Sequence, residues 1–176
     1  MTDLNRVNSS NLDAIRADGV PIAANALGAP ASFGVTLTAN TVYYFVLGAQ
    51  HAPVPAETGL NCIGLRWDAA IVVTFTFEDT VFPSTTDPRD PRGPVDVSDF
   101  DATPGNWMPE NPPGAYMSGS GTGGLTVTGL SGVVAGGQVG GTTIHLGNFG
   151  ARRGRIRAAV GATGGKVRCG VHGKGW

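Results

Sequence analysis

The chain has 176 residues, 41 % of them hydrophobic and 14 % charged, with a formal net charge of −1 and a pI near 6.3. This length suits one domain with a proper core, the β-branched and aromatic runs exclude a disordered polymer, and the near-neutral balance speaks against a broadly basic nucleic-acid binder. The charged share lies well below the roughly 25 % of a typical domain, and 28 Gly and 12 Pro take up the difference. Both punctuate turns and weaken helices, so the composition predicts short strands joined by ordered loops.

Charge is segregated along the chain. Residues 1–110 hold 5 basic and all 13 acidic residues, whereas residues 111–176 hold 7 basic and none acidic. Interleaving the two halves in one β fold would let them neutralise each other. Complementarity between subunits is a second reading, and a nucleic-acid or membrane partner a third.

Residues 1–30 predict an extended N-terminal arm, broken by Gly19, Pro21, Gly28 and Pro30, with one helical turn over Leu12 to Arg16 capped by Ser10 or Asn11. Residues 31–176 predict a single β-sandwich domain. Its first strands run from Phe33 to Leu37 and from Thr41 to Leu47, the latter a dense run of β-formers. Leu60 to Trp67 follows, and then Ala70 to Phe77, where Thr74 and Thr76 oppose Phe75 and Phe77. Residues 78–122 carry eight prolines and eight acidic residues. They predict a long surface excursion, with an extended piece around Val95 to Phe100, pinned by Phe100, Trp107 and Tyr116. Strands resume at Leu125 to Thr128, Val133 to Val134 and Thr142 to Leu146. Arg155 to Val160 and Lys166 to His172 complete about eight, and Gly161 to Gly165 reads as a hairpin connection between the last two. Strands in this number predict an all-β sandwich or jelly roll. No secretory leader and no run of about 20 apolar residues is visible, so synthesis in the cytoplasm is the expectation.

Catalytic chemistry finds no footing. His51, His145 and His172 are not accompanied by a nucleophile turn of the G-x-S-x-G kind. Cys169 and His172 stand three apart, which places them on opposite faces of a strand, so joint metal ligation with Cys62 is not expected. Asp96, Asp99 and Asp101 lack the spacing of a calcium loop. Asp68 and Glu78 flank the strongest strand at opposite ends, too far apart for a glycosidase pair. Cys62 and Cys169 sit in apolar runs and read as free thiols. Arg152, Arg153, Arg155 and Arg157 form the densest basic cluster, with Arg155 and Arg157 on one strand face; Phe149 alone offers an aromatic nearby, so an exposed face or subunit contact is expected rather than nucleic acid. The expectation is therefore no catalytic residue, no metal and no cofactor.

Four segments carry a resemblance. They are GLRWDAAIVVTFTFEDTVFP from Gly64, DVSDFDATPGNWMPENPPGAYM from Asp96, TTIHLGNFGARRGRIRAAV from Thr142 and KVRCGVHGK from Lys166. Their order resembles that of small virion structural proteins of tailed bacteriophages. The resemblance implies a head decoration or cement protein on the capsid surface that binds the major capsid protein and further copies of itself, with trimers favoured by capsid symmetry and with neither nucleic acid nor membrane as partner. The expected contact residues are Arg152, Arg153, Arg155 and Arg157, matched by Asp87, Asp90, Asp96 and Asp99, with the arm reaching a neighbour. The alternative is a carbohydrate-binding module on a tail or fibre, with Trp107 and Tyr116 as the stacking platform.

Overall fold

A computed structural model describes residues 7–12, 14–16, 21–22, 34–47, 60–80, 109, 114–146 and 153–174. These residues form an all-β body of two antiparallel sheets with no α-helix among them. The strands are β1 (Val7–Asn11), β2 (Ala14–Arg16), β3 (Pro21–Ile22), β4 (Val35–Leu37), β5 (Val42–Leu47), β6 (Leu60–Trp67) and β7 (Val73–Thr80). After them come β8 (Tyr116–Met117), β9 (Leu125–Thr128), β10 (Ser131–Val134), β11 (Gly140–His145), β12 (Arg153–Val160) and β13 (Gly165–Lys174). The first sheet runs β1-β13-β6-β11-β8, with β4 paired to β13 beside β1; the second runs β3-β2-β5-β12-β7-β10-β9.

Period-two alternation decides which side chains meet between the sheets. Ile63, Leu65 and Trp67 of β6 are buried, as are Val167, Cys169 and Val171 of β13. Val73, Phe75 and Phe77 of β7 come from the other sheet, with Tyr43 and Phe45 of β5 and Ile156 and Ala158 of β12. All of them belong to one continuous core in which the Trp67 and Phe75 rings lie 6.0 Å apart, centre to centre, across the two layers. Each fully buried Phe or Leu contributes about 1.5–3 kcal/mol, so this shared layer holds the two sheets together. The Trp67 indole N–H donates to the Gly123 carbonyl at 3.2 Å, which satisfies its one polar atom.

Consecutive strands mostly change sheet rather than pair. The β6–β7 link and the β12–β13 link both cross between layers, so the hairpin expected at Gly161 to Gly165 is corrected: β12 pairs β5 and β7, and β13 pairs β4, β1 and β6. Both strands present an apolar face, and crossing lets the two faces meet. The crossings are knitted at one end of the body. Val72 N–H donates to Thr163 O at 3.0 Å, Asn40 N–H to Gly161 O at 2.9 Å and Gly137 N–H to Ala69 O at 2.6 Å. Asp68 fastens the same end, accepting from the amides of Lys166 at 2.8 Å and Ala70 at 3.2 Å.

The N-terminal segment departs from expectation. The helical turn expected over Leu12 to Arg16 is corrected, since Ala14–Arg16 is a strand. Instead Val7–Asn11 pairs with β13, Ala14–Arg16 pairs with β5, and Leu12 and Ala14 enter the core. The unpaired ladder groups along β13 and β5 capture the chain at both places. The described part of the arm therefore stitches the two sheets of its own chain, and Leu12 N–H donates to Cys169 O at 2.9 Å.

Candidate interaction surface

Each sheet keeps an outer face, and of the candidate residues Arg155, Arg157 and Tyr116 fall on these two faces. On the second sheet, Arg155 of β12 stands directly opposite Glu78 of β7. Its Nε donates to Glu78 Oε2 at 2.7 Å, and its guanidinium lies 4.2 Å from the centre of the Tyr44 ring. Arg155 is 3 % exposed and Glu78 8 %. A buried pair this short is a charge-assisted hydrogen bond, and the π face of Tyr44 adds to it. The expected role of Arg155 as an exposed contact is thus corrected: the side chain is committed inside the fold. Arg157 shares its face, opposite Thr76 and Tyr44, and is half-buried. Arg153 lies in β12 by its backbone; Arg152, Asp87, Asp90, Asp96, Asp99, Trp107 and most of the Pro-rich excursion lie outside the described residues. Arg155 with Glu78, and Asp68 with the Lys166 amide, join an acidic residue of the first half to the second, as interleaving requires.

The outer face of the first sheet is built differently. Cys62, Gly64 and Arg66 of β6 alternate with the buried Ile63, Leu65 and Trp67. Next to them stand Gly141, Thr143 and His145 of β11, and Lys166, Arg168 and Gly170 of β13. Gly170 and Gly64 are register partners, and a Cβ added at Gly64 would meet nothing within 4 Å. The result is a low glycine floor, flanked on one side by exposed Arg66 and Arg168. On the other side Tyr116, 55 % exposed, stacks on the His145 ring with centroids 4.4 Å apart. Sequence reading singled out Tyr116 as an aromatic platform but missed Arg66, Arg168 and His145, whose neighbourhood is made by strands far apart in the chain.

The two thiols differ in setting. Cys169 points into the core, and full burial pushes its thiol far above the ordinary value. Cys62 is half-buried on the outer face, and partial desolvation raises it as well. They face opposite sides of the first sheet and are free. No family model, no curated protein and no solved structure matches this chain.

Proposed function

We propose that the two sheets form a β-sandwich of the jelly-roll kind and that the chain is a virion structural protein of a tailed bacteriophage, a head decoration or cement protein. The observation that carries this reading is the strand order. β4, β13, β6 and β11 lie side by side in one sheet, and β5, β12, β7 and β10 in the other. Numbering those eight strands in chain order gives 1-8-3-6 and 2-7-4-5, the order of two interlocked Greek keys, an architecture that recurs in viral capsid and lectin domains. The four segments that resemble phage virion proteins favour the capsid branch of that pair.

The partners in this reading are the major capsid protein and further copies of the chain, as a trimer on the capsid surface. The outer face of the first sheet, with exposed Arg66 and Arg168 beside the glycine floor, supports docking against another protein surface. Arg152, Arg153 and Arg157, with Asp87, Asp90, Asp96 and Asp99, are further contact candidates; Arg155 is not one, because Glu78 holds it. Light scattering coupled to gel filtration, followed by cosedimentation with empty capsids, tests the proposal. A trimer that sediments with capsids is the expected result, and Arg66→Glu with Arg168→Glu should reduce its occupancy. A folded chain that never joins capsids overturns it.

One observation favours a second reading, a carbohydrate-binding module on a tail or fibre. Tyr116 presents an exposed ring backed by His145, and an aromatic face of this kind suits stacking against a sugar. Trp107 is the other stacking candidate in this reading. Glycan binding lost in Tyr116→Ala, without capsid binding, would select this reading over the first.

A further inference from the structure

The outer face of the first sheet has two ends of different chemistry. At one end Arg66 of β6 and Arg168 of β13 are register partners, so two exposed arginines stand directly opposite each other. Lys166 lies two residues before Arg168 on the same face, opposite Thr36 of β4. At the other end Tyr116 of β8, 55 % exposed, is the register partner of His145 and stacks on its ring with centroids 4.4 Å apart. Between the ends lies Gly64, with Gly170 and Thr143 as its register partners. His145 pairs with Cys62, four residues from Arg66 along β6, which is about 14 Å of antiparallel strand.

We propose that this face binds an acidic oligosaccharide, its rings running from Tyr116 over Gly64 and a sugar carboxylate held by Arg66 and Arg168. This goes beyond the capsid reading and names the ligand class of the carbohydrate reading, on which it rests. Charge argues for the acid. Each guanidinium offers five N–H donors in a rigid fork that matches the two oxygens of a carboxylate. Directly opposite residues have Cβ atoms about 4.5–5.5 Å apart and like charges there repel, so both forks favour an anion between them. Lys166 adds to the positive potential. Gly141 leaves room for the Arg66 stem, since a Cβ added there would meet Arg66 Cγ at 3.3 Å.

The uncharged part of the face argues for the sugar. An exposed aromatic ring suits the apolar face of a sugar, and the His145 stack holds the Tyr116 ring in place before binding. A Cβ at Gly64 would have nothing within 4 Å, so a flat ring can approach the backbone there. The separation of the two ends exceeds a single sugar and fits a short chain of them. Single-stranded nucleic acid is also anionic, but it is held by successive aromatic platforms, and among the described residues Tyr116 is the one exposed aromatic.

The test is calorimetric titration of the full-length chain at physiological salt. The probes are oligogalacturonate and oligosialic acid, the carboxyl-reduced form of each, and oligothymidylate. At least one acidic probe should bind, and its reduced form should bind about 10-fold more weakly or worse, the scale of losing a charge-assisted hydrogen bond. Arg66→Gln with Arg168→Gln should bring the acidic probe down to the level of the reduced one. Tyr116→Ala should weaken both forms. Gly64→Leu should block both while leaving the fold intact, because the added side chain enters open space. Circular dichroism checks each variant, and the comparison of acidic with reduced probe on the parent needs none. Acidic and reduced forms bound alike, or an acid preference that survives the arginine changes, overturns the acid site while the carbohydrate reading stands. No binding to any of the glycans overturns both. Oligothymidylate bound as tightly as the acidic sugars overturns the site in favour of nucleic acid.

Discussion

Replacing Arg155 by Met strips Glu78 of its partner while keeping a side chain of similar length. The carboxylate is left at a position 8 % exposed, opposite an apolar group, and the Tyr44 face loses its cation. Breaking a buried pair from one side costs about 3–5 kcal/mol, because the remaining charge stays desolvated. For a domain of this size 1 kcal/mol corresponds to roughly 2–4 °C in Tm, so Arg155→Met should melt roughly 6–20 °C below the parent. Glu78→Gln should also destabilise, by less, since it removes the negative charge beside a cation that is 3 % exposed but leaves an amide oxygen to accept from it. The double change Glu78→Leu with Arg155→Met removes both charges and should recover most of the loss, giving a large coupling in a double-mutant cycle. Thermal and urea unfolding followed by circular dichroism measure all four proteins. Single variants within about 1 kcal/mol of the parent, the range of exposed pairs, would refute the claim that this pair is locked inside the fold.

Leu12→Ala should cost about 2–5 kcal/mol in denaturant unfolding, because Leu12 is 1 % exposed within the shared core; an unchanged midpoint would free the N-terminal segment from the fold. Gly140→Ala should destabilise by about 1–3 kcal/mol, since its Cβ would lie 2.7 Å from both Gly123 Cα and Trp67 Cζ2, and quenching or shift of the Trp67 emission would report the displaced ring. Asp68→Ala orphans the Lys166 and Ala70 amides and should lower stability by about 1–3 kcal/mol, read from the same urea curves. In thiol titration with a coloured disulfide, only Cys62 should react in the native chain, slowly near neutral pH and faster as pH rises, with Cys169 appearing on denaturation. The raised Cys169 thiol also sets a stability slope. Above its ordinary value of 9.0 the unfolded chain releases a proton that the folded chain keeps, so stability should fall by up to about 1.4 kcal/mol per pH unit. Cys169→Ala should remove that slope.

The sites beyond local reach have a common origin. Arg155 and Glu78 are 77 residues apart, and nothing within either segment marks the arginine as buried. Its strand reads as alternating basic and apolar residues, which predicts an exposed basic face. Only the pairing of β12 with β7 brings in the carboxylate, and only with that partner is burial of the charge tolerable. The neighbourhood of Cys62 arises the same way: His145 becomes its register partner only because β11 pairs with β6.

Residue alternation along the chain was enough to read the inward face of most strands and the all-β class. Leu60–Trp67 has the bounds expected from its residues, and Phe75 and Phe77 point to the core against Thr74 and Thr76, because period two is a property of the extended backbone alone. Which strands became neighbours depended on pairing between distant segments. Gly161 to Gly165 has the composition of a hairpin turn and bridges two sheets; Leu12 to Arg16 has the pattern of a helical turn, yet Ala14–Arg16 lies as strand against β5. A turn composition states that the chain reverses, not which open edge receives it. That choice belongs to ladder groups and apolar faces far away in sequence, and it is settled only when the two sheets close on one core.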